Sequence, residues 1–152
     1  MADKRIPFFI KAINTLEFAT LPNIYKKEEN VRITTNFQIG IDEKNNGIAV
    51  LLELNYTCNK NPFIIFKIQN EFGVDNDSFE SFKNTKENKI IVPKGFLNHL
   101  AAMTVGTVRG VLHEKLKKTE FSEFLLPAID VSEIPNEDME YPLEQVAKKK
   151  KA

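Results

Sequence analysis

The residue types that most often perform catalysis or bind metal ions are few in this sequence, and they are far apart. The two histidines, His99 and His113, fall fourteen positions apart on a predicted helix, which separates them by about 21 Å. They therefore cannot share a metal ion or a proton. Cys58 is the single cysteine, and a thiol needs a positioned base to act as a nucleophile. Its place at the end of an apolar strand face favours a small buried hydrophobic side chain instead.

Glycines and carboxylates also lack a catalytic pattern. The six glycines form neither a phosphate-binding loop nor a dinucleotide fingerprint, and no Gly-x-Ser-x-Gly elbow occurs. The obvious carboxylate pairs, Glu28-Glu29 and Glu137-Asp138, are sequence neighbours in polar stretches, where nothing separates their pKa values. The sequence therefore predicts a protein that is not an enzyme, with no cofactor and no metal site. An enzyme with an unrecognised site is the third interpretation, after the two given below.

The composition excludes several classes of partner. The chain has 152 residues with 21 Lys plus Arg and 21 Asp plus Glu, so it has no basic surplus with which to hold nucleic acid or anionic lipid. One cysteine allows no internal disulfide, which fits a reducing compartment. Lys11 interrupts the apolar stretch 6–10 before a signal peptide or a membrane span could form. We predict a cytoplasmic protein without membrane insertion.

Apolar residues recur with a period of two in three consecutive segments of the chain, which is typical of half-buried strands. The segments are 31–41, 48–58 and 64–74. A strong hairpin signal, Asn45-Asn46-Gly47, joins the first two, and a turn at 59–62 joins the next two. The pattern predicts an antiparallel meander with one buried face and one face in water. A fourth strand is predicted over 6–21, bent near Asn14.

From Pro93 to about Lys118 the apolar period becomes helical, and proline suits a first helical turn. On this predicted helix Ala102, Gly106 and Gly110 fall four positions apart on one face. A glycine inside a helix costs about 1 kcal/mol relative to alanine, so close packing is expected to offset that cost. A helix lying tightly on its own sheet and a helix-to-helix contact between subunits explain the pattern equally well.

Several large apolar side chains lie outside the regular segments. Phe79 and Phe82 are isolated in the long polar connection 75–88, and connections of this length are often functional. Phe121, Phe124 and Leu125 fall in an extended segment that follows the helix. These residues are predicted to line an exposed groove that recognises apolar polypeptide segments. The alternative is that they fold back onto the sheet and anchor long loops.

The order of these elements, together with two segments, resembles the SecB export chaperone family. The first segment is FKIQNEFGV at 66–74, and the second is FSEFLLPAIDVSEI at 121–134. In the second, Pro127, Ile129 and Asp130 stand where the family pattern places them. The resemblance covers residues 6–134. The chain departs from the family in its neutral charge, in the prolines Pro135 and Pro142 of the expected second helix, and in Ile129-Asp130-Val131 where the family has Asn-Phe-Asp.

The resemblance implies an α+β fold, in which a four-stranded antiparallel sheet carries the long helix on one face. It implies a SecB-like domain over 1–134. The residues that follow, acidic and then lysine-rich, predict a flexible tail over 135–152. It also implies a homo-oligomer, a dimer or a tetramer built through sheet and helix contacts, and we expect Ala102, Gly106 and Gly110 at an oligomer contact.

Functionally, the resemblance implies an ATP-independent chaperone that holds unfolded polypeptides in apolar grooves. The implied binding residues are Phe79, Phe82, Phe121, Phe124 and Leu125. The alternative function is a dedicated adaptor or scaffold that binds one protein partner on the same fold. A translocation motor is a further candidate partner, although the departures from the family weaken the export role.

The zero net charge conceals an uneven distribution. Residues 119–144 contain eight acidic residues and no Lys or Arg, whereas four lysines follow at 148–151. Three explanations of the acidic segment are open: a solvated loop, a docking strip for a basic partner, and a segment that folds back onto the body.

Overall fold

The computed structural model describes residues 5–27 and 29–143. Along the chain the elements are β1 (Phe8–Thr20), β2 (Val31–Asp42), β3 (Gly47–Cys58), β4 (Asn61–Val74), α1 (Asn76–Ser81), β5 (Lys83–Asn84), β6 (Lys89–Val92), α2 (Lys94–Leu116) and β7 (Met139–Pro142). The lysine run at 148–151 and Glu28 of the carboxylate pair lie outside the described residues.

The main sheet has four antiparallel strands in the order β1-β4-β3-β2. Its regular pairing follows from the alternating sequence, because every second side chain of β3 and β4 is buried on one face. The predicted hairpin between β2 and β3 is present. Its loop is residues 43–46, in which Asn46 takes a left-handed conformation (φ 50°) before Gly47 pairs with Asp42. β1 pairs with β4 and forms one edge of the sheet, and β2 forms the other.

The long helix α2 lies across β3 and β4 on the buried face of the sheet. Its buried side is lined by Leu97, Leu100, Ala101, Thr104, Val105, Val108, Leu112 and Leu116. The spacing of these positions matches one face of a 3.6-residue period. The predicted α+β architecture, with four antiparallel strands and one long helix on one face, is therefore confirmed.

A second, three-stranded sheet in the order β5-β6-β7 was not predicted. It covers the part of the main sheet beyond the N-terminal end of α2, where Ile90, Val92 and Leu143 join the same core cluster as Ile48 and Phe72. The sequence pattern treated 75–88 as an irregular connection and 135–152 as a flexible tail. In the structure α1 and β5 lie within that connection, and β7 pairs with β6. Residues 139–142 thus belong to the folded body.

Candidate polypeptide-binding site

The crossover aromatics predicted to bind polypeptides lie inside the protein. Phe79 and Phe82 are both buried, because the Asp75 carboxylate caps α1 by accepting from the Ser78 N–H (3.3 Å) and the helix turns both rings inward. The ring centroids of Phe79 and Phe82 are 5.9 Å apart, and Phe82 lies 6.1 Å from Phe96 on α2. Phe79 and Phe82 therefore pack onto the core and anchor the connection 75–88, as in the alternative interpretation of the sequence.

An open apolar groove of about 900 Å³ lies directly beside Phe82. Phe8 of β1 and Phe96 of α2 form its walls, with ring centroids 5.6 Å apart, and Ile6 and Ile91 extend the apolar lining. Arg5 and His99 also line it, and the His99 ring packs edge-on to Phe8 with the ring centroids 5.6 Å apart. We call this the β1–α2 groove.

Beyond this groove the edge strand β1 exposes large apolar side chains. Ile10 and Ile13 pair with the buried residues Phe72 and Asn70 of β4, which places them on the α2 side of the sheet. They are nevertheless 43 % and 49 % exposed, and Leu16, at an irregularity of the strand, is 53 % exposed. We call Ile10, Ile13 and Leu16 the β1 strip. It continues the apolar surface of the β1–α2 groove along an unpaired sheet edge.

Phe9 occupies the opposite face of β1. It pairs with Gly73, and a Cβ atom at Gly73 would collide with the Phe9 ring. The glycine therefore makes room for an aromatic ring that is itself 61 % exposed. Apolar side chains thus flank the β1 edge on both faces of the sheet.

The post-helix aromatics lie at the far end of α2, near the turn between β3 and β4. Phe121 is buried, Phe124 is half-buried and Leu125 is 59 % exposed. Phe121 and Phe124 share an aromatic cluster with Tyr25, Tyr56 and Phe63, in which ring centroids are 4.9–6.3 Å apart. Of the five predicted binding residues, Leu125 is thus the one that is largely open to solvent.

The Tyr56 hydroxyl in this cluster is buried and has no hydrogen-bond partner among the residues that the structure describes. Burial raises the pKa of Tyr56 from 10.0 to about 12, because the phenolate would lose its hydration. Asn70 presents a similar case, since its amide nitrogen donates to Thr107 Oγ1 at 3.1 Å while its Oδ1 has no partner within the described residues.

Residues 124–135, which we call the strap, run back along α2 without regular secondary structure. Two side chains of α2 hold the backbone of the strap. Arg109 Nε donates to the Leu126 carbonyl and Arg109 Nη2 to the Pro127 carbonyl, both at 3.0 Å. Asn98 Nδ2 lies 2.6 Å from the Ile134 carbonyl oxygen, 3.0 Å from that of Val131 and 3.1 Å from that of Pro135.

The small residues of α2 lie on its outer surface. Ala102, Gly106 and Gly110 are all exposed, and a Cβ atom added at Gly106 or Gly110 would meet no atom within 4 Å. A tight fit of this face on the protein's own sheet therefore does not explain the glycines. The subunit contact predicted from the sequence stays a prediction.

The histidines and the cysteine are the side chains of this sequence that most often perform chemistry. His99 and His113 are both exposed on α2, and the buried Cys58 thiol donates to Glu29 Oε2 at 3.3 Å. Across residues 5–27 and 29–143, no three His, Cys, Asp or Glu side chains converge as metal ligands would. No helix within those same residues is both long and apolar enough to cross a membrane.

Sequence reasoning missed the β1 strip and the two residues that hold the strap. The mixed parity of apolar residues in 6–21 was the available signal, because a strand buried on one face keeps a single parity. Asn98 and Arg109 gave no signal, since polar residues on a helix are usually solvated and their carbonyl partners are distant in sequence.

Comparison with known proteins finds similarity among solved structures but not among sequences. No family model matches the chain, and no curated protein matches its sequence at a significant level. Among solved structures, the chain is similar to a SecB-like chaperone of Mycobacterium tuberculosis, solved in complex with a peptide from an antitoxin. The TM-score is 0.47 at 10 % sequence identity, and the match covers 80 % of this chain and 90 % of the chaperone.

Proposed function

We propose that this protein holds apolar segments of non-native or partner polypeptides, without ATP, on the surface formed by the β1–α2 groove and the β1 strip. The observation that carries the proposal is the continuity of the two: an open apolar groove of about 900 Å³ leads onto an edge strand with three large, half-exposed aliphatic side chains. Contiguous exposed apolar surface is a feature of protein-interaction sites. The resemblance of segments 66–74 and 121–134 to the SecB family supports the same function.

The edge position of β1 suggests how a client is held. The outward N–H and C=O groups of an edge strand can pair with an extended segment, and such pairing supplies affinity that does not depend on the client sequence. The apolar side chains on both faces of β1 then contact alternate side chains of the bound segment. Arg5 at the groove favours clients with an acidic residue beside the apolar ones.

The test compares two isoleucine-to-serine variants in suppressing the aggregation of several unrelated unfolded proteins. Ile13→Ser removes apolar surface from the β1 strip. Ile33→Ser is the matched control, because Ile33 is 37 % exposed on the opposite edge strand β2. We expect Ile13→Ser to weaken client binding by about tenfold, the effect of about 1.4 kcal/mol, and Ile33→Ser to leave it unchanged. Equal behaviour of the two variants would refute the proposed surface.

The same assay separates the two functional hypotheses. A holding chaperone suppresses the aggregation of unrelated clients, whereas an adaptor binds one partner and fails with the others. Failure with every unrelated client, combined with loss of one specific complex in Ile13→Ser, would assign the adaptor function to this surface.

The five aromatic and aliphatic residues predicted as client contacts fit this surface unequally. Phe82 lines the β1–α2 groove, and Leu125 is exposed at the other end of α2. Phe79 and Phe121 are buried, so they can touch a client only when the packing around them opens. Replacing Phe79, Phe82, Phe121 and Phe124 with serine and measuring client binding alongside the helical circular-dichroism signal tests the prediction.

For the assembly we propose that the outer face of α2 contacts a second copy of the chain. Ala102, Gly106 and Gly110 leave this face smooth, so two helix backbones can approach closely. Gly106→Leu should dissociate the oligomer in light scattering. Lys115→Leu, which adds the same side chain at an exposed α2 position away from this face, should not. A monomeric parent protein would refute the contact. A homotetramer, a cytoplasmic location and a translocation motor as a partner stay predictions of the sequence.

A further inference from the structure

An open pocket of about 680 Å³ lies on the outer face of the main sheet, opposite α2. Arg32 and Thr34 of β2 and Thr57 of β3 line it. Arg32 pairs with Thr57 across the two strands. Thr57 lies between the buried residues Tyr56 and Cys58, so its side chain points to the outer face. The pocket is therefore separate from the β1–α2 groove and from the β1 strip, which lie on the α2 side.

The pocket contains two positively charged side chains and one carboxylate. The Arg32 guanidinium and the Lys60 ammonium form no ion pair with a carboxylate among the residues that the structure describes. Glu29 also lines the pocket, but its Oε2 accepts from the buried Cys58 thiol at 3.3 Å. The carboxylate is thus held by a buried donor, and both cations are open to a negatively charged ligand.

The turn that carries Lys60 has an unfavourable residue at its second position. Cys58 pairs with Asn61, and the two residues between them, Asn59 and Lys60, have φ angles of 52° and 71°. Turns of this kind are usually Asn-Gly or Asp-Gly, because both central residues must adopt positive φ. A Cβ atom disfavours that conformation, so glycine at position 60 would form the same turn with less strain. The lysine instead places an ammonium group at the pocket, and strained residues of this kind cluster at functional sites.

The rest of the lining surrounds these charges with hydrogen-bonding groups. The Asn30 and Asn59 amides and the Thr34 hydroxyl are exposed at the pocket. Thr57 Oγ1 donates to the Arg32 carbonyl at 3.4 Å and can still accept. Amides and hydroxyl groups donate and accept, which suits the hydroxyl groups of a sugar. The lining is polar and charged, so the described residues offer no aromatic ring on which a nucleobase could stack.

We infer that this pocket binds a phosphorylated, hydroxyl-rich small molecule of the sugar-phosphate class. Arg32 binds the phosphate group through its planar guanidinium and Lys60 binds it as a point charge, while the amides and hydroxyl groups contact the sugar. The volume of about 680 Å³ lies within the range of small-molecule sites. The inference is independent of the proposed function, because the pocket and the β1 strip lie on opposite faces of the sheet and either site can fail alone.

The probes are ribose 5-phosphate, inorganic phosphate and ribose, and isothermal titration calorimetry measures their binding to the full chain. We expect ribose 5-phosphate to bind at least about tenfold more tightly than inorganic phosphate, because the sugar adds hydrogen bonds. Ribose alone should not bind measurably. Equal affinities for ribose 5-phosphate and inorganic phosphate would overturn the sugar-phosphate class, and an absence of binding by both would overturn the whole inference.

Lys60→Gly separates ligand binding from folding. It should weaken the binding of ribose 5-phosphate about tenfold, because one charged hydrogen bond is lost. Its Tm should stay level or rise, because glycine relieves the turn. Lys44→Gly is the matched control, since Lys44 is exposed in the loop between β2 and β3 at the opposite end of the sheet, and it should leave the affinity unchanged. An equal loss of affinity in both variants would show that the ligand responds to net charge alone and would overturn the site.

Two substitutions within the pocket should act in opposite directions. Arg32→Ala should weaken the binding of ribose 5-phosphate about tenfold, and Arg32→Lys should restore part of the loss. Glu29→Gln removes a negative charge beside the phosphate group and should strengthen binding about threefold. Unchanged binding in Arg32→Ala, or unchanged or weaker binding in Glu29→Gln, would overturn the assignment of the phosphate to this pocket.

Discussion

Removing the hydroxyl of Tyr56 should stabilise the protein. The Tyr56 ring is 1 % exposed, and its hydroxyl has no hydrogen-bond partner among the residues that the structure describes. Tyr56→Phe keeps the ring contacts of the aromatic cluster and deletes only the oxygen atom. A buried, unpartnered polar group costs about 1–3 kcal/mol of stability.

We expect the free energy of unfolding at neutral pH to rise by about 1 kcal/mol. This value is at the low end of the range because the van der Waals contacts of the deleted oxygen are also lost. For a domain of about 150 residues, 1 kcal/mol corresponds to a rise of about 2–4 °C in Tm. Urea unfolding at pH 7 measures the free energy directly, and an unchanged m value would show that the variant unfolds to the same extent.

Unfolding at alkaline pH tests the same burial, because the hydroxyl is then ionised in the unfolded chain. Unfolded tyrosine ionises near pH 10, whereas burial raises the pKa of Tyr56 to about 12. The stability linked to Tyr56 is therefore complete below pH 10 and is lost as the pH rises through 12, by about 2–3 kcal/mol. Tyr56→Phe should lack this loss. Tyr141, whose pKa burial also raises to about 12, contributes equally in both proteins.

Two results would refute this reasoning. A loss of 1 kcal/mol or more in Tyr56→Phe at pH 7 would show that the hydroxyl makes a hydrogen bond in solution, and an unchanged alkaline profile would show that the ring is hydrated. Tyr25→Phe is the control, because it deletes the same atom from a half-buried ring of the same cluster. Its stability should change by less than about 0.5 kcal/mol.

Three smaller changes test the local geometry. Asp138→Ala should lower the free energy of unfolding by about 0.5–2 kcal/mol, because the Asp138 carboxylate accepts from the Lys94 N–H at 2.8 Å. The shift of the urea midpoint measures this loss, and no shift would mean that this end of α2 is uncapped in solution. Gly73→Ala should lower the free energy of unfolding by less than about 1 kcal/mol, since the exposed Phe9 ring can turn away. In the Phe9→Ala background the same substitution should have no effect, and a loss that persists there would place the strain in the backbone. Asn70→Ala should change stability by less than about 1.5 kcal/mol, because losing the two hydrogen bonds of its amide nitrogen, to Thr104 Oγ1 and Thr107 Oγ1, is offset by removing an unpartnered oxygen. Thermal unfolding would reveal a larger loss.

The sequence predicted the main sheet and α2 because each is specified by its own local period. A strand buried on one face must alternate, and 48–58 and 64–74 alternate with Asn70 as the polar residue on the buried face. A helix of 23 residues that covers a sheet must repeat its apolar residues at 3.6-residue intervals. In both cases the information that selects the structure lies within a dozen neighbouring positions.

The parts that were missed depend on contacts between distant residues. β7 is four residues long and pairs with β6 about 50 positions earlier, and neither segment has a period long enough to recognise. The burial of Phe79 depends on α1, whose six residues are too few for a helical pattern. The aromatic residues of 75–88 and 121–124 therefore indicated that these segments carry large apolar side chains. They did not indicate whether those side chains face the core or the solvent.

Part of the acidic segment 119–144 packs back onto the body of the protein, which is one of the three explanations that its composition left open. Asp138 accepts from the first N–H of α2, where the helix dipole favours a negative charge. Glu140 bonds to Lys89 at 3.0 Å, and Glu87 bonds to the same ammonium group at 2.8 Å. These two carboxylates raise the pKa of Lys89, which shows that each stabilises the charged lysine. Two of the eight acidic residues, Asp138 and Glu140, thus accept hydrogen bonds from donors of the protein itself. This part of the segment folds back onto the body, and a basic partner would have to displace those bonds before docking there.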